Sequence, residues 1–478
     1  MEANVKNMTS GAPGKLILLF ALPLMLGNVF QQFYTMVDAM VVGQVVGVEA
    51  LAAVGAADWL IWMIQGILTG GTQGFSILTA QNYGAGDGKA LKKTVAMSYV
   101  LTAVTALVVL VISQAAVQPV LVFLNTPADV IDMSVTYVRI IFCGIPVIAA
   151  YNCLASILRA LGNGRSPLIA MIVAAVINVG LDLLFVAVFG WGVAGAAIAT
   201  VTAQAFSTLY CFLVLRKIEA VKIGREDFSR DGYLAGQLLK LGAPLEFQNI
   251  IISVGGLVIQ YVVNGYGFLF VAGFTATNKL YGVLELAAIS YGYAITTYVG
   301  QNLGAGNVPR IREGVRKGGF MAVLTALVIG VVMIAAGRPV LSLFISGEQE
   351  QVSQVMEIAY HYLFIMASFL IVLYLLYVYR SAIQGLGNTV IPLLSGAVEF
   401  LMRVGVALLL PRLVGQNGIF YAEICAWSGA ALLLLYQLLP FDRKIPAAGQ
   451  ENRIEKTEVC CGREIFCRGF FMFIENCF

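Results

Sequence analysis

Apolar residues in this chain show neither the one-sided stripe of a surface helix nor the alternation of a half-buried strand. They run almost uninterrupted for about 20 residues at a time, the length of helix that crosses a bilayer. Twelve such runs lie at approximately 16–42, 52–82, 95–116, 134–157, 167–189, 193–214, 241–263, 271–300, 318–337, 354–379, 390–410 and 417–439. The pattern predicts an all-α membrane protein with twelve transmembrane helices. The second and eighth runs are long, which suits tilt or a projecting end. The first continues past Asp38 without a small-residue cleavage site, so it reads as a membrane helix rather than a signal peptide.

The polar breaks between runs differ on the two sides. One set holds Lys89, Lys92 and Lys93, then Arg159 and Arg165, a cluster from Arg216 to Arg230, Arg310 to Lys317, Arg380, and Arg443 with Lys444. The alternate set has little beyond Arg338 and Arg412 and carries Glu49, Asp129, Asp132, Glu348 and Glu350. Lys and Arg mark the cytoplasmic side, so both termini are expected in the cytoplasm of a multi-pass protein of the cytoplasmic membrane.

The long polar stretch 215–240 divides the chain in half, and the halves repeat. Gln81-Asn82-Tyr83-Gly84-Ala85-Gly86 returns as Gln301-Asn302-Leu303-Gly304-Ala305-Gly306. Leu161-Gly162-Asn163 with Pro167 returns as Leu386-Gly387-Asn388 with Pro392, and Pro23, Leu24 and Asn28 return as Pro244, Leu245 and Asn249. Three collinear matches at nearly one offset indicate duplication. Six spans per half make each half begin and end on the same side, so a pseudo-two-fold along the membrane normal relates two six-helix bundles. The expected organisation is an N-terminal lobe (1–214), a cytoplasmic linker (215–240), a C-terminal lobe (241–444) and a tail (445–478). Two facing bundles leave a cleft near the midplane, and rocking one against the other gives alternating access.

Composition narrows the function. Apolar residues make up 59% of the 478 and charged residues 12%, with a mean hydropathy of +0.87. Soluble proteins carry about 25% charged residues. A net charge of +3 offers no nucleic-acid surface. One histidine, His361, and the absence of an HExxH motif or a Ser/His pair leave no acid–base apparatus for an intramembrane enzyme. Cys143, Cys153, Cys211 and Cys425 sit in apolar runs as small hydrophobes. Cys460, Cys461, Cys467 and Cys477 crowd the tail in no zinc-site spacing. The tail has no helical period, is expected to be disordered, and is assigned no function.

Charges inside spans need a reason, since each costs about 2.5–3.5 kcal/mol at the bilayer centre. The first half has Asp38, Asp58 and Asp182. Asn178 precedes Asp182 by one helical turn, so the two share a face. With Asp38 and the hydroxyl of Thr200 they make an oxygen-rich set suited to a hard cation, or to a proton if the acids are desolvated. The plainer alternative is a polar clamp between helices. In the second half Glu399 and Arg403 have the spacing of an intrahelical ion pair, and Lys279 lies near Glu285; such self-neutralising pairs favour structure over transport. Glu246 sits near the start of the seventh span. Gln32, Tyr34, Met36, Trp62 and Met63 are candidates for a substrate-cavity lining, because aromatic and methionine side chains repack around varied ligands. Many aromatic and Met residues nearby instead face lipid or pack between helices.

Gln31 to Asp38, the QNYGAG block at 81–86 with its echo at 301–306, Arg159-Ala160-Leu161-Gly162-Asn163 with Pro167, and Asn178 with Asp182 together resemble the multidrug and toxic compound extrusion (MATE) family, in its DinF-like branch. The resemblance covers about residues 10–440. It implies a two-lobed antiporter that exports cationic or amphipathic organic compounds while Na⁺ or H⁺ enters, with no cofactor beyond the coupling ion. The cation site of that branch falls on Asp38, Asn178, Asp182 and Thr200, which would be the Na⁺ ligands in a sodium-coupled member. Such a protein is expected to work as a monomer in the lipid bilayer. The rival on the same architecture is a flippase for lipid-linked saccharides, which would need a more cationic cleft and further spans.

Overall fold

The computed structural model describes residues 5–124, 126–345 and 349–443, so the expectations for the tail 445–478 and for Glu348 lie outside the described residues. The first half comprises α1 (Pro13–Val41), α2 (Val48–Gly84), α3 (Gly88–Phe123), α4 (Ala128–Cys143), α5 (Ile145–Ala160), α6 (Arg165–Asp182) and α7 (Gly192–Leu215). The second comprises α8 (Gly232–Asn264), α9 (Phe268–Gly304), α10 (Val308–Leu341), α11 (Gln349–Ser368), α12 (Leu370–Gly385), α13 (Val390–Val414) and α14 (Tyr421–Arg443).

Among the described residues nine helices are long and apolar enough to cross a membrane. Two bent pairs, α4–α5 at 47° and α11–α12 at 48°, raise the number to eleven. The 37-residue α9, which carries Lys279 and Glu285, is long enough to cross as well and takes in the eighth apolar run, 271–300. The bend between α4 and α5 follows from Gly144 and the missing N–H of Pro146 in the first turn of α5. Its counterpart falls at Phe369 (φ −105°, ψ 9°), at the same point of the second half.

Helices overrun the apolar runs because polar ends continue them into water. The third begins at Gly88, where the Asp87 carboxylate accepts from the Ala90 N–H at 2.9 Å, and so takes in Lys89, Lys92 and Lys93. Likewise α8 opens at Gly232 behind an Asp231 cap, inside the stretch 215–240 that hydropathy assigns to the linker. What remains of that linker folds into two short 3₁₀ turns, one of which buries Val221.

The two six-span halves pack on each other through α2 and α8, with α9 lying against α1 and α2. The repeated motifs make these contacts reciprocally. Gln81 donates its side-chain amide to the Gly385 carbonyl at 3.1 Å, and its counterpart Gln301 donates to the Ala160 carbonyl at 2.7 Å. Asn28 donates to Ser290 Oγ at 3.2 Å, while its counterpart Asn249 donates to the Gly66 carbonyl at 2.7 Å. A Cβ at Gly84 would overlap the Gln301 carbonyl, and one at Gly304 would overlap the Gln81 carbonyl. Glycine is required here by close backbone approach.

The Gln81, Gln301, Gly84 and Gly304 contacts lie at the end of the molecule that carries both QNxGAG motifs. Toward the other end α2 turns Gly55, Asp58, Trp62 and Gln65 to open space. The N-terminal segment breaks the symmetry. Met8 is fully buried, its N–H donating to Gln301 Oε1 at 2.9 Å and its carbonyl accepting from Asn302 Nδ2 at 3.1 Å. Arg310 Nη2 donates to the Gly11 carbonyl at 3.0 Å. Met8 and Gly11 thus tie the segment before α1 to the second lobe.

Candidate functional site

Asp38 lies near the end of α1, Asn178 and Asp182 on one face of α6, and Thr200 on α7. Small residues let these helices approach: α6 and α7 bury Ala170, Ala174, Ala196, Ala197, Ala199 and Ala203. Asn178 and Asp182 are fully buried and Asp38 is 8% exposed. Asn178 Nδ2 donates a long hydrogen bond, 3.4 Å, to Thr200 Oγ1, so the amide oxygen turns the other way. Asp38 and Asp182 are close enough to act on each other electrostatically.

The defining feature is a deficit of donors. Asp38 Oδ1, Asn178 Oδ1 and both carboxylate oxygens of Asp182 are buried without a hydrogen-bond partner. A buried acceptor left unpaired costs about 1–3 kcal/mol, and a charged one more. Four such oxygens on neighbouring helices can hold a proton or a hard cation, which oxygen ligands prefer. Among the described residues no group of three or more His, Cys, Asp or Glu is arranged to hold a metal ion.

Backbone geometry singles out the same place. Directly after Asp38 the chain winds into a π-helix at Val42–Val46, and directly after Asp182 another runs from Leu183–Val188. The two π segments touch. Such segments widen the turn and recur at functional sites. Hydropathy is blind to them, because apart from Gln44 in the first their side chains stay apolar.

Other residues singled out from the sequence spread more widely. Gln32 and Met36 are half-buried on α1, and Trp62 is 51% exposed on α2. Met63 packs on the apolar core of the first lobe, beside Leu60 and Ile64. The side chain of Tyr34 lies outside the described ones. Asp58 is exposed and stands apart from the buried oxygens, within electrostatic range of Asp38 and of Lys279 on the opposite lobe. Glu246 reaches from α8 onto Gly71 of α2, beside Thr72, Thr102 and Thr105.

The second lobe contains a buried charge network larger than the expected pair. Arg403 Nη2 bonds Glu399 Oε1 at 2.9 Å, the one-turn pair read from spacing, and also Glu423 Oε2 at 2.7 Å. Arg380 Nη2 bonds the other Glu399 oxygen at 2.7 Å. The expected neighbour relation between Lys279 and Glu285 does not hold. Six residues turn a helix by about 240°, so the two side chains diverge. Glu285 instead accepts from the Tyr377 hydroxyl at 2.7 Å.

Comparison with known proteins fits this architecture. The MatE family model matches residues 23–184 and 244–409, one stretch in each half. Probable multidrug resistance protein YoeA of Bacillus subtilis (strain 168) is 31% identical over 340 residues, covering 70% of this chain and 73% of that protein. Probable multidrug resistance protein NorM of Thermotoga maritima is 24% identical, covering 80% and 82%. A MOP-superfamily transporter structure from Pyrococcus furiosus, described as having a binding pocket of reverse polarity, superposes with a TM-score of 0.87 at 22% identity, covering 92% of this chain and 99% of that one. An outward-facing multidrug resistance MATE transporter superposes at 0.85, also at 22% identity, covering 92% and 99%. With one match laid over each six-span half, the chain belongs to the MatE, or multidrug and toxic compound extrusion, family of membrane transporters.

Proposed function

We propose that this transporter is a secondary antiporter that exports cationic or amphipathic organic compounds as Na⁺ or H⁺ enters, working as a monomer without a cofactor. The carrying observation is the set of four buried, donor-less oxygens on Asp38, Asn178 and Asp182, with Thr200 beside them. Such a set attracts positive charge, and an incoming ion and a cationic substrate compete for it. Ion entry weakens substrate binding, and the emptied, neutralised cleft turns back inward. The descriptions of YoeA and NorM as probable multidrug resistance proteins agree with this reading.

The orientation belongs to the same proposal. Lys89, Lys92, Lys93 and the 310–317 cluster flank the motif-bearing end, which makes that end and both termini cytoplasmic. With the lobes joined there, the described state faces outward. A saccharide flippase would need a cationic wall where the first lobe presents carboxylates.

The test is efflux from vesicles of purified protein with a Na⁺ or H⁺ gradient imposed one at a time. Asp38→Asn and Asp182→Asn should each abolish gradient-driven efflux while the protein still folds, since desolvating an amide costs less than desolvating a carboxylate. Full efflux in both variants would leave the acids as helix clamps and sink the mechanism.

A further inference from the structure

Two charged side chains lie on α9, and only Glu285 is hydrogen-bonded within the second lobe. Lys279 makes no hydrogen bond or ion pair among the described residues. It belongs to an exposed stripe, Thr275, Lys279 and Val283, on a helix that otherwise buries Phe274, Ala276, Thr277, Leu280 and Leu284. The first lobe answers with the exposed stripe Gly55, Asp58, Trp62 and Gln65 on α2, a helix that packs on α9. Lys279 is eleven residues into α9 and Asp58 ten into α2, counted from ends on the same side of the molecule. At about 1.5 Å per residue both stand about 15 Å along their helices from those ends, so the two side chains lie at matching depth inside the apolar runs 52–82 and 271–300.

A lysine at that depth without an ion pair marks a ligand pathway rather than a packing contact. Lys279 lies within electrostatic range of Asp58 on the opposite lobe, and Asp58 within range of Asp38. The exposed walls are therefore bipolar, with Lys279 on the second lobe facing Asp58 on the first. A purely cationic compound meets repulsion from Lys279. A compound with an acidic group at one end and a cationic or amphipathic body satisfies both walls.

We propose that Lys279 is the anion-recognising residue of the transport cleft, and that the compounds carried bear an acidic group in addition to a cationic or amphipathic body. This inference rests on the exporter reading and narrows its substrate class. In the resting cleft Asp58 offsets the lysine across open space. On binding, the acidic group of the ligand takes that role and leaves Asp58 to the positive end. Charge at both ends fixes the orientation of the ligand between lobes that must move past each other.

A matched dye pair tests it: rhodamine 6G, an ester and a cation, against its free acid, which differs by one carboxylate. Equilibrium binding to the full-length protein in detergent is read by fluorescence anisotropy, and gradient-driven transport is measured separately in vesicles. The wild-type protein should bind the acid more tightly than the ester. Lys279→Met should weaken acid binding by about tenfold, the worth of one charge-assisted contact, while the ester binds as well as before or better. Lys279→Arg should restore the preference. Equal change in both dyes, unchanged acid binding in Lys279→Met, or no binding of either dye by the wild type would overturn the assignment. Charge-selective binding without transport under either gradient would leave Lys279 assigned and overturn the exporter reading instead.

Discussion

Arg403 holds two carboxylates at once, and Glu399 holds two guanidinium groups, so the buried charges of the second lobe form a chain rather than a pair. Breaking a buried pair from one side is destabilising by about 3–5 kcal/mol, because the remaining charge keeps its desolvation cost and loses its partner. Arg403→Met strands Glu423, whereas Glu423→Gln still offers Arg403 an acceptor at the more exposed end of the chain. Thermal unfolding in detergent should therefore show a loss of about 3–5 kcal/mol for Arg403→Met and clearly less for Glu423→Gln. Equal losses would mean that the carboxylate charge, not its pairing, sets the stability. Only part of this was legible in the sequence. Glu399 and Arg403 are one turn apart, so their pairing follows from helix geometry, but Arg380 and Glu423 join from neighbouring helices at separations no local rule reaches. In the first lobe the legible part was larger, since Asn178 and Asp182 are also one turn apart and a carboxylate in an apolar run is conspicuous.

Whole helices obey the hydropathy that announced them, and their irregularities do not. The offset between halves could be read from three short motifs because the duplicated residues still perform the same work. Gln81 and Gln301 cross to the opposite half, and Gly84 and Gly304 admit each other's motif backbone. The π segments after Asp38 and Asp182 and the bend at Phe369 carry no such signature, since each changes the backbone within a largely apolar run. The glycine contact gives a direct test. An alanine at Gly304 must displace the Gln81 carbonyl, and forced overpacking of this kind costs about 1–3 kcal/mol. Gly304→Ala should shift the molecule toward states in which the two motif ends separate, lengthening the distance between spin labels at Lys89 and Pro309. Gly55→Ala, whose new methyl meets nothing within 4 Å, should leave that distance unchanged. An unaltered distance in Gly304→Ala would show that the two turns do not control opening.

The molecule as a whole is two six-helix bundles joined at one end, with their facing walls charged unequally. The sidedness assigned to that joined end makes a prediction at the same scale. Tags inserted after Lys93 and after Lys222 should be protected from membrane-impermeant reagents in intact cells and labelled once the cells are opened. External labelling at either position would invert the orientation and, with it, the direction of transport assigned to the described state.

Met8 has a consequence for how the protein is made. Its hydrogen-bond partners, Gln301 and Asn302, are translated almost 300 residues later. At about 5–20 residues per second the ribosome takes about 15–60 s to reach them. Through that interval Met8 lacks these partners, although Val5 can already pack on the first-lobe core and the helices behind it are entering the membrane. The segment around Met8 is thus among the last to complete its contacts. Its docking closes the assembly only after the second half has been inserted and folded against the first, so a nascent first lobe cannot complete these contacts alone.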